Sequence, residues 1–193
     1  MKETAPVAPC EALALLKIAL RKNRRHPHYR YFQMATVTPE GAPRNRTVVF
    51  RGFAPDDAAL LVITDSRSEK IVELAQNAMA EVAWYFTETR EQFRIRALAT
   101  CVSEGAPSAE DVALRVQVWQ QLSDAARAQF FWPSPGLPLG TGTAQAITEA
   151  VPESFTVLKL SPIVIDHLVL SKVQTRRRSR IISERWCEEW INP

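Results

Sequence analysis

Between residues 31 and 64 the chain alternates short runs rich in Val, Thr and Phe with breaks of four or five residues. The runs fall at 31–37, 44–53 and 59–64. The breaks are Pro39-Glu40-Gly41-Ala42-Pro43 and Ala54-Pro55-Asp56-Asp57, both of turn composition. A parallel strand pair needs a crossover of about a dozen residues or more, which neither break can supply. The segment is therefore an antiparallel meander. Further strand-like runs follow at 81–87 and 92–102, joined by 88–91, and then at 154–160, 163–170, 177–183 and 186–191. About seven or eight strands with a few short helices predict a mainly β, α+β barrel-like domain. The chain has 193 residues, no internal repeat and no compositional boundary, so 1–193 reads as one domain.

Helical spacing marks the periphery. Residues 9–24 set Leu13, Leu15, Leu16, Ile18, Ala19 and Leu20 among charges, so 1–30 reads as an N-terminal helix and a basic segment. Residues 67–78 place Ile71, Leu74 and Ala75 on one face, and Ser66 with Glu69 has capping-box spacing, predicting a helix start near Ser66. Residues 108–131 suggest two helices; Pro133, Pro135 and Pro138 then enforce an irregular loop, and 136–150 is expected to be mobile. The net charge of +3 comes largely from clusters at 22–30 and 172–180. So mild a charge suits anionic small molecules better than a committed nucleic-acid binder. Cys10, Cys101 and Cys187 form neither a CxxC pair nor a metal-ligand spacing, which predicts a reduced cytoplasmic protein without a metal. No apolar stretch approaches the roughly 18 residues of a membrane span.

Three segments carry the chemistry. In the first, Ala35-Thr36-Val37 leads through Gly41 and Pro43 to Arg46, Val48 and Arg51. In the second, Thr64 and Asp65 precede Ser68-Glu69-Lys70 at a helix start; in the third, Glu91-Gln92-Phe93-Arg94-Ile95 forms a strand. Together they resemble the flavin-binding core of the pyridoxamine 5′-phosphate oxidase family. That family has an A-T-V-turn-G-x-P-x-x-R-x-V-x-x-K hairpin, then Y-T-N-x-x-S-R-K, then E-R-Q-V-R-I. Arg115 and Trp119, Leu122-Ser123, the run from Phe130 through Trp132 to Gly136, and the C-terminal Trp186 to Pro193 resemble its cyanobacterial and plant branch.

The resemblance implies a split β-barrel with peripheral helices that binds flavin mononucleotide (FMN) as a homodimer, with two FMN molecules at the interface. It implies that Arg46, Ser68 and Lys70 hold the phosphate, with Thr64 beside them. Arg67 stands in for the family arginine that Glu69 replaces. Backbone groups of Thr47, Val48 and Val49 would meet the ring edge, with Gln92, while Arg178 would reach the flavin from the partner. Arg51 and Trp132 are candidate substrate contacts. The physical case stands beside it, since a phosphate near −2 requires fixed cations, hydroxyls and free N–H groups. Taken singly, Lys70 also reads as a solvated helix residue, Arg46 and Gln92 as surface polar groups, Arg178 as an edge-strand charge and Trp132 as packing. The family's R-L-H-D substrate motif has no clear counterpart. Function is thus read as an FMN-dependent oxidoreductase, with a flavin-storage or sensing protein and a nucleic-acid module on the 172–180 strand as alternatives.

Overall fold

The computed structural model describes residues 10–55 and 58–193. Its strands are β1 (Tyr31–Val37), β2 (Pro43–Val49), β3 (Gly52–Phe53), β4 (Leu60–Asp65), β5 (Met79–Phe86), β6 (Glu91–Val102), β7 (Phe155–Val169), β8 (Thr175–Ile182) and β9 (Arg185–Ile191). The helices are α1 (Glu11–Asn23), α2 (Glu69–Gln76), α3 (Ala109–Gln120) and α4 (Asp124–Ala128). The nine strands form one antiparallel sheet in the order β2-β1-β5-β6-β7-β4-β3, with the β8–β9 hairpin branching from β7. The architecture is mainly antiparallel β with a few helices, and its hydrogen-bond ladder does not close into a barrel.

The expected strand 44–53 is two strands, and the reason lies in Phe50 and Arg51. Phe50 N–H donates to Arg30 O (2.7 Å), continuing the β1 ladder, whereas Arg51 N–H donates to Leu61 O (2.9 Å) on the β4 side. Within two residues the backbone exchanges one end of the sheet for the other. Gly52 makes this turn at φ +142°, a conformation that side chains with a Cβ rarely adopt. The converse holds for 154–160 and 163–170, which are one strand. Pro162 lacks an N–H, and the ladder absorbs it at a register shift where Arg96 pairs with Val164 but Ala97 with Pro162. On its other edge β7 pairs with β4 through residues 155–160 and with β8 through 164–169.

Alternation places two cores on the sheet's two faces. Phe32, Met34, Val82, Trp84, Phe93, Ile95 and Leu160 pack with the Leu13, Leu16 and Leu20 stripe of α1. Leu61, Val157 and Phe155 pack with Leu114, Val118 and Trp119 of α3 and with Phe130 and Phe131. Each fully buried large side chain contributes about 1.5–3 kcal/mol. β4 sends Leu60 and Val62 into the first core and Leu61 into the second, so it is held from both sides. That rigidity matters because β4 and β2 carry the site. Among the described residues no helix is long and apolar enough to cross a membrane.

Candidate functional site

β2 lies at an end of the sheet, so half of its backbone groups face outward. Pairing parity says which half. Thr38 N–H donates to Ala42 O (2.9 Å) and Phe50 N–H to Arg30 O (2.7 Å), which fixes both as hydrogen-bonded positions. Alternation through the register Met34–Arg46, Gln33–Thr47, Phe32–Val48 and Tyr31–Val49 leaves Thr47 and Val49 in the non-bonded positions. Their N–H and C=O groups lie on the open edge, and both residues line a cavity of about 420 Å³. That volume falls within the roughly 300–1,000 Å³ usual for small-molecule sites.

The cavity's cationic end lies where β4 runs into α2. The expected capping box does not form. α2 starts at Glu69 with Ser68 at the N-cap; Ser66 is tied to Ser154 O through its N–H (2.7 Å) and to Glu153 O through its hydroxyl (3.4 Å). The Ser68 hydroxyl donates to Asp65 O (2.8 Å) and accepts no capping bond from the backbone of α2. Lys70 Nζ bends back to donate to Thr64 Oγ1 (2.9 Å) and Ser68 Oγ (3.0 Å). Burial, then the nearby Arg46 charge, holds the Lys70 ammonium below its ordinary pKa. Arg46 enters from β2, with Nη2 donating to Glu73 Oε2 (2.9 Å) and Nη1 to Thr36 and to Met34 O (3.4 Å).

Arg46, Thr47, Val48, Val49, Arg51, Thr64, Lys70 and Trp132 share this one cavity, with Ile63, Asp65, Ala126, Gln129 and Phe130 completing most of its wall. Ser68 stands behind Lys70 and Thr64. Arg67 points elsewhere: Nε and Nη2 clasp Asp65 (2.9 and 2.6 Å), and Nη2 also reaches Trp132 O (3.1 Å). Among the described residues this pairing neutralises the one carboxylate on the cavity wall, and it ties down the Trp132 segment. Arg51 lines the same cavity half-buried, its Nε without a partner among the described residues, and burial followed by Arg30 lowers its pKa.

Gln92 and Arg178 do not join them. Gln92 lies on β6 between Tyr85 and Leu168, on the outward face with Arg94 and Arg96. Arg178 bonds Asp166 (3.3 Å) and lines a separate cleft of about 280 Å³ with Glu81, Arg94, Arg96 and Arg180. Sequence reasoning missed Glu73 and Thr36. Both are polar residues on otherwise apolar, buried faces, Thr36 in step with Phe32 and Met34 and Glu73 beside Leu74. A polar residue at a core position was the available signal.

The donor set fits a phosphorylated planar ring: two cations and the Thr64 hydroxyl near the start of α2, the open edge of β2, and apolar walls from Ile63, Phe130 and Trp132. Among the described residues no group of three or more His, Cys, Asp or Glu could hold a metal. The family profile described as pyridoxamine 5′-phosphate oxidase, FMN-binding domain, matches residues 12–103. A pyridoxine/pyridoxamine 5′-phosphate oxidase 2 from Arabidopsis thaliana is 33% identical over 97% of this chain and 98% of its own. A pyridoxine/pyridoxamine 5′-phosphate oxidase of Nostoc punctiforme is 37% identical over 71 residues, about a third of its length. Among solved structures, a pyridoxamine 5′-phosphate oxidase-related, FMN binding protein from the same species superposes with TM-score 0.90 and 38% identity, covering 97% of this chain and 100% of that one. PhzG from Burkholderia lata 383, in complex with tetrahydrophenazine-1-carboxylic acid, shares the fold at 20% identity and TM-score 0.76 over 96% of this chain and 94% of its own. With 33% identity over nearly the full length of both chains and an FMN-binding domain spanning the cavity's strands and α2, the chain belongs to the pyridoxamine 5′-phosphate oxidase family.

Proposed function

We propose that this protein is a cytoplasmic, homodimeric FMN-dependent oxidoreductase on a split β-barrel, whose substrate differs in its contacts from pyridoxamine 5′-phosphate. One observation carries the proposal. Arg46 and Lys70 face one cavity beside Thr64, with Ser68 behind them, and among the described residues the only carboxylate on its wall, Asp65, is already paired with Arg67. Such an end attracts a dianion. Thr47 and Val49 then offer backbone donors and acceptors to the pyrimidine edge of the ring. When bound, FMN supplies two-electron redox chemistry; the protein supplies orientation, charge and exclusion of water.

The split-barrel reading rests on the covalent step at Phe50–Arg51, which joins the two ends of the sheet. The dimer reading rests on the outward sheet face. Tyr31, Ala83, Tyr85 and Leu98 are exposed there among Gln92, Arg94, Arg96 and Arg178. A second chain covering that face would bring Gln92 and Arg178 to its neighbour's flavin, where positive charge favours the anionic reduced ring. Beyond the strand edge, Arg51, Gln129, Phe130 and Trp132 line the same cavity and are the side chains a substrate would meet. Substrate would meet Arg51 in place of the family's lysine, without the family's histidine-bearing motif.

The protein as purified is expected to absorb as a flavoprotein, with the chromophore released on denaturation. Arg46→Ala is expected to weaken FMN binding by about 1.5–3 kcal/mol, the range for a hydrogen bond to a charged group, and to leave riboflavin binding unchanged. Equal affinity of both proteins for FMN would refute the phosphate assignment.

A further inference from the structure

Glu73 is an anion where a phosphate site should have none. It lies on α2 one turn beyond Lys70 and its side chain is 3% exposed. Oε2 accepts from Arg46 Nη2 (2.9 Å) and from Thr36 Oγ1, and Arg46 Nη1 in turn donates to Thr36 Oγ1. Side chains of β1, β2 and α2 thus close a ring directly behind the cavity wall. A buried carboxylate is tolerated only when paired and hydrogen-bonded. Burial opposes its ionisation, but the bonds from Thr36 and Arg46 outweigh burial and hold the Glu73 pKa below its ordinary value.

The geometry explains what the carboxylate does. Arg46 and Lys70 are like charges facing one cavity, and after burial the Arg46 charge is what most disfavours the Lys70 ammonium. Without a counter-charge a flexible arginine would turn away from the lysine, out to water. Glu73 and Thr36 hold the inner side of the guanidinium fork, so that Arg46 stays in the wall before any ligand arrives. Preorganisation of this kind lowers the cost of binding.

We propose that Glu73 is a positioning residue that acts through Arg46, and that it thereby sets the preference for phosphorylated over unphosphorylated flavin. The inference rests on the FMN reading above. It has a signature that mere helix support lacks, because removing Glu73 should have opposite effects with and without Arg46. With Arg46 present, Glu73→Gln frees the cation. With Arg46→Ala already made, Glu73 is an unpaired carboxylate beside the phosphate, and its neutralisation removes a repulsion.

The test is titration of flavin-free protein with FMN and with riboflavin, followed by flavin fluorescence, for the unaltered chain, Glu73→Gln, Arg46→Ala and the double variant. We expect Glu73→Gln alone to weaken FMN binding about tenfold and to change riboflavin binding by less than about twofold; in the Arg46→Ala background it should strengthen FMN binding. Thr36→Val, which removes the hydroxyl bridge while keeping volume, should weaken FMN in the same selective way, and it serves if Glu73→Gln fails to fold. Equal losses for FMN and riboflavin, or the same loss in both backgrounds, would overturn the positioning role while leaving FMN binding intact. An unaltered chain that does not distinguish FMN from riboflavin would overturn the phosphate reading itself, and the inference with it.

Discussion

Lys70→Met should make the empty protein more stable and the loaded protein weaker, and the two signs come from the same burial. In the folded chain the ammonium is partly withdrawn from water, its bonds go to two neutral hydroxyls, and Arg46 lies nearby. Burial first, and Arg46 second, lower its pKa from 10.5. A lysine whose folded pKa is depressed destabilises the fold at every pH below that value. The penalty fades as pH rises through the folded pKa towards the unfolded one, because the folded chain then binds fewer protons. Methionine fills similar space without the charge. The melting temperature of the flavin-free variant should therefore rise at neutral pH, and its lead should shrink as the solution is made alkaline.

Flavin binding reverses the balance. A phosphate charge about 4 Å away interacts with the ammonium by about 4 kcal/mol at an effective dielectric near 20, which is an upper bound. Bonds to Thr64 and Ser68 must be shared or given up, so the net is nearer the 1.5–3 kcal/mol of one charged hydrogen bond. A loss of about 2–3 kcal/mol corresponds to FMN binding about 30- to 150-fold weaker. Riboflavin, which lacks the phosphate, should lose almost nothing. Thermal-shift curves of flavin-free protein and fluorescence titrations with both flavins measure the two signs independently. A lower melting temperature, or equal losses for FMN and riboflavin, would refute the assignment of Lys70 as a half-buried cation awaiting a dianion.

Arg67→Ala should weaken FMN binding by unmasking Asp65 on the cavity wall, and Asp65→Asn in the same chain should restore it; a direct phosphate contact by Arg67 would not be rescued. Tyr85→Arg, on the outward face of β5, should shift the protein to monomer in sedimentation velocity and weaken FMN binding along with it; a dimer as stable as the unaltered one would move the interface elsewhere. Acid should unfold the protein through Glu73, Glu91 and Asp166. Burial opposes ionisation of all three, but bonds from Thr36 and Arg46, from His167, and from Arg176 and Arg178 leave each pKa lowered. Their stabilisation is present above the ordinary carboxylate range and is lost as pH falls through the folded values. Urea midpoints should therefore fall more steeply below about pH 4 for the unaltered chain than for Asp166→Asn.

Strand existence was legible because turn composition and alternation are local properties. β1 occupies 31–37 as expected, and β6 differs from 92–102 by one residue. The errors arose where partner choice, a non-local property, decides the boundary. Phe50 and Arg51 have strand-like composition, yet they belong to opposite ends of the sheet, and no periodicity within 44–53 reports a change of partner. Pro162 looks like a break because proline cannot donate, but the bulge opposite Arg96 and Ala97 removes the need for a donor there. At Ser66 the capping-box pattern was present and the chemistry went elsewhere, since Ser66 is tied to the segment before β7.

The same distinction separates the site residues that converge from those that do not. Arg46, Thr64 and Lys70 lie within 25 residues of one another on β2, β4 and α2, with only the two-residue β3 between, so their convergence follows from hairpin, strand and helix in turn. Gln92 and Arg178 lie on the outward face of the same sheet, and no movement within the chain turns a β6 or β8 side chain through the sheet into a cavity on its other side. Either they serve no flavin, or they serve one held by a second chain. The charge distribution favours the second. Among the described residues Arg94, Arg96, Arg176, Arg178 and Arg180 face Glu81, Asp166 and Glu189, an excess of positive charge on a face that also exposes Tyr31, Tyr85 and Leu98. Two copies meeting there would bring like charges together unless an anionic group lay between them. A flavin at that junction supplies one, so FMN removal should loosen the dimer, and the dimer dissociation constant should rise when the protein is stripped of flavin.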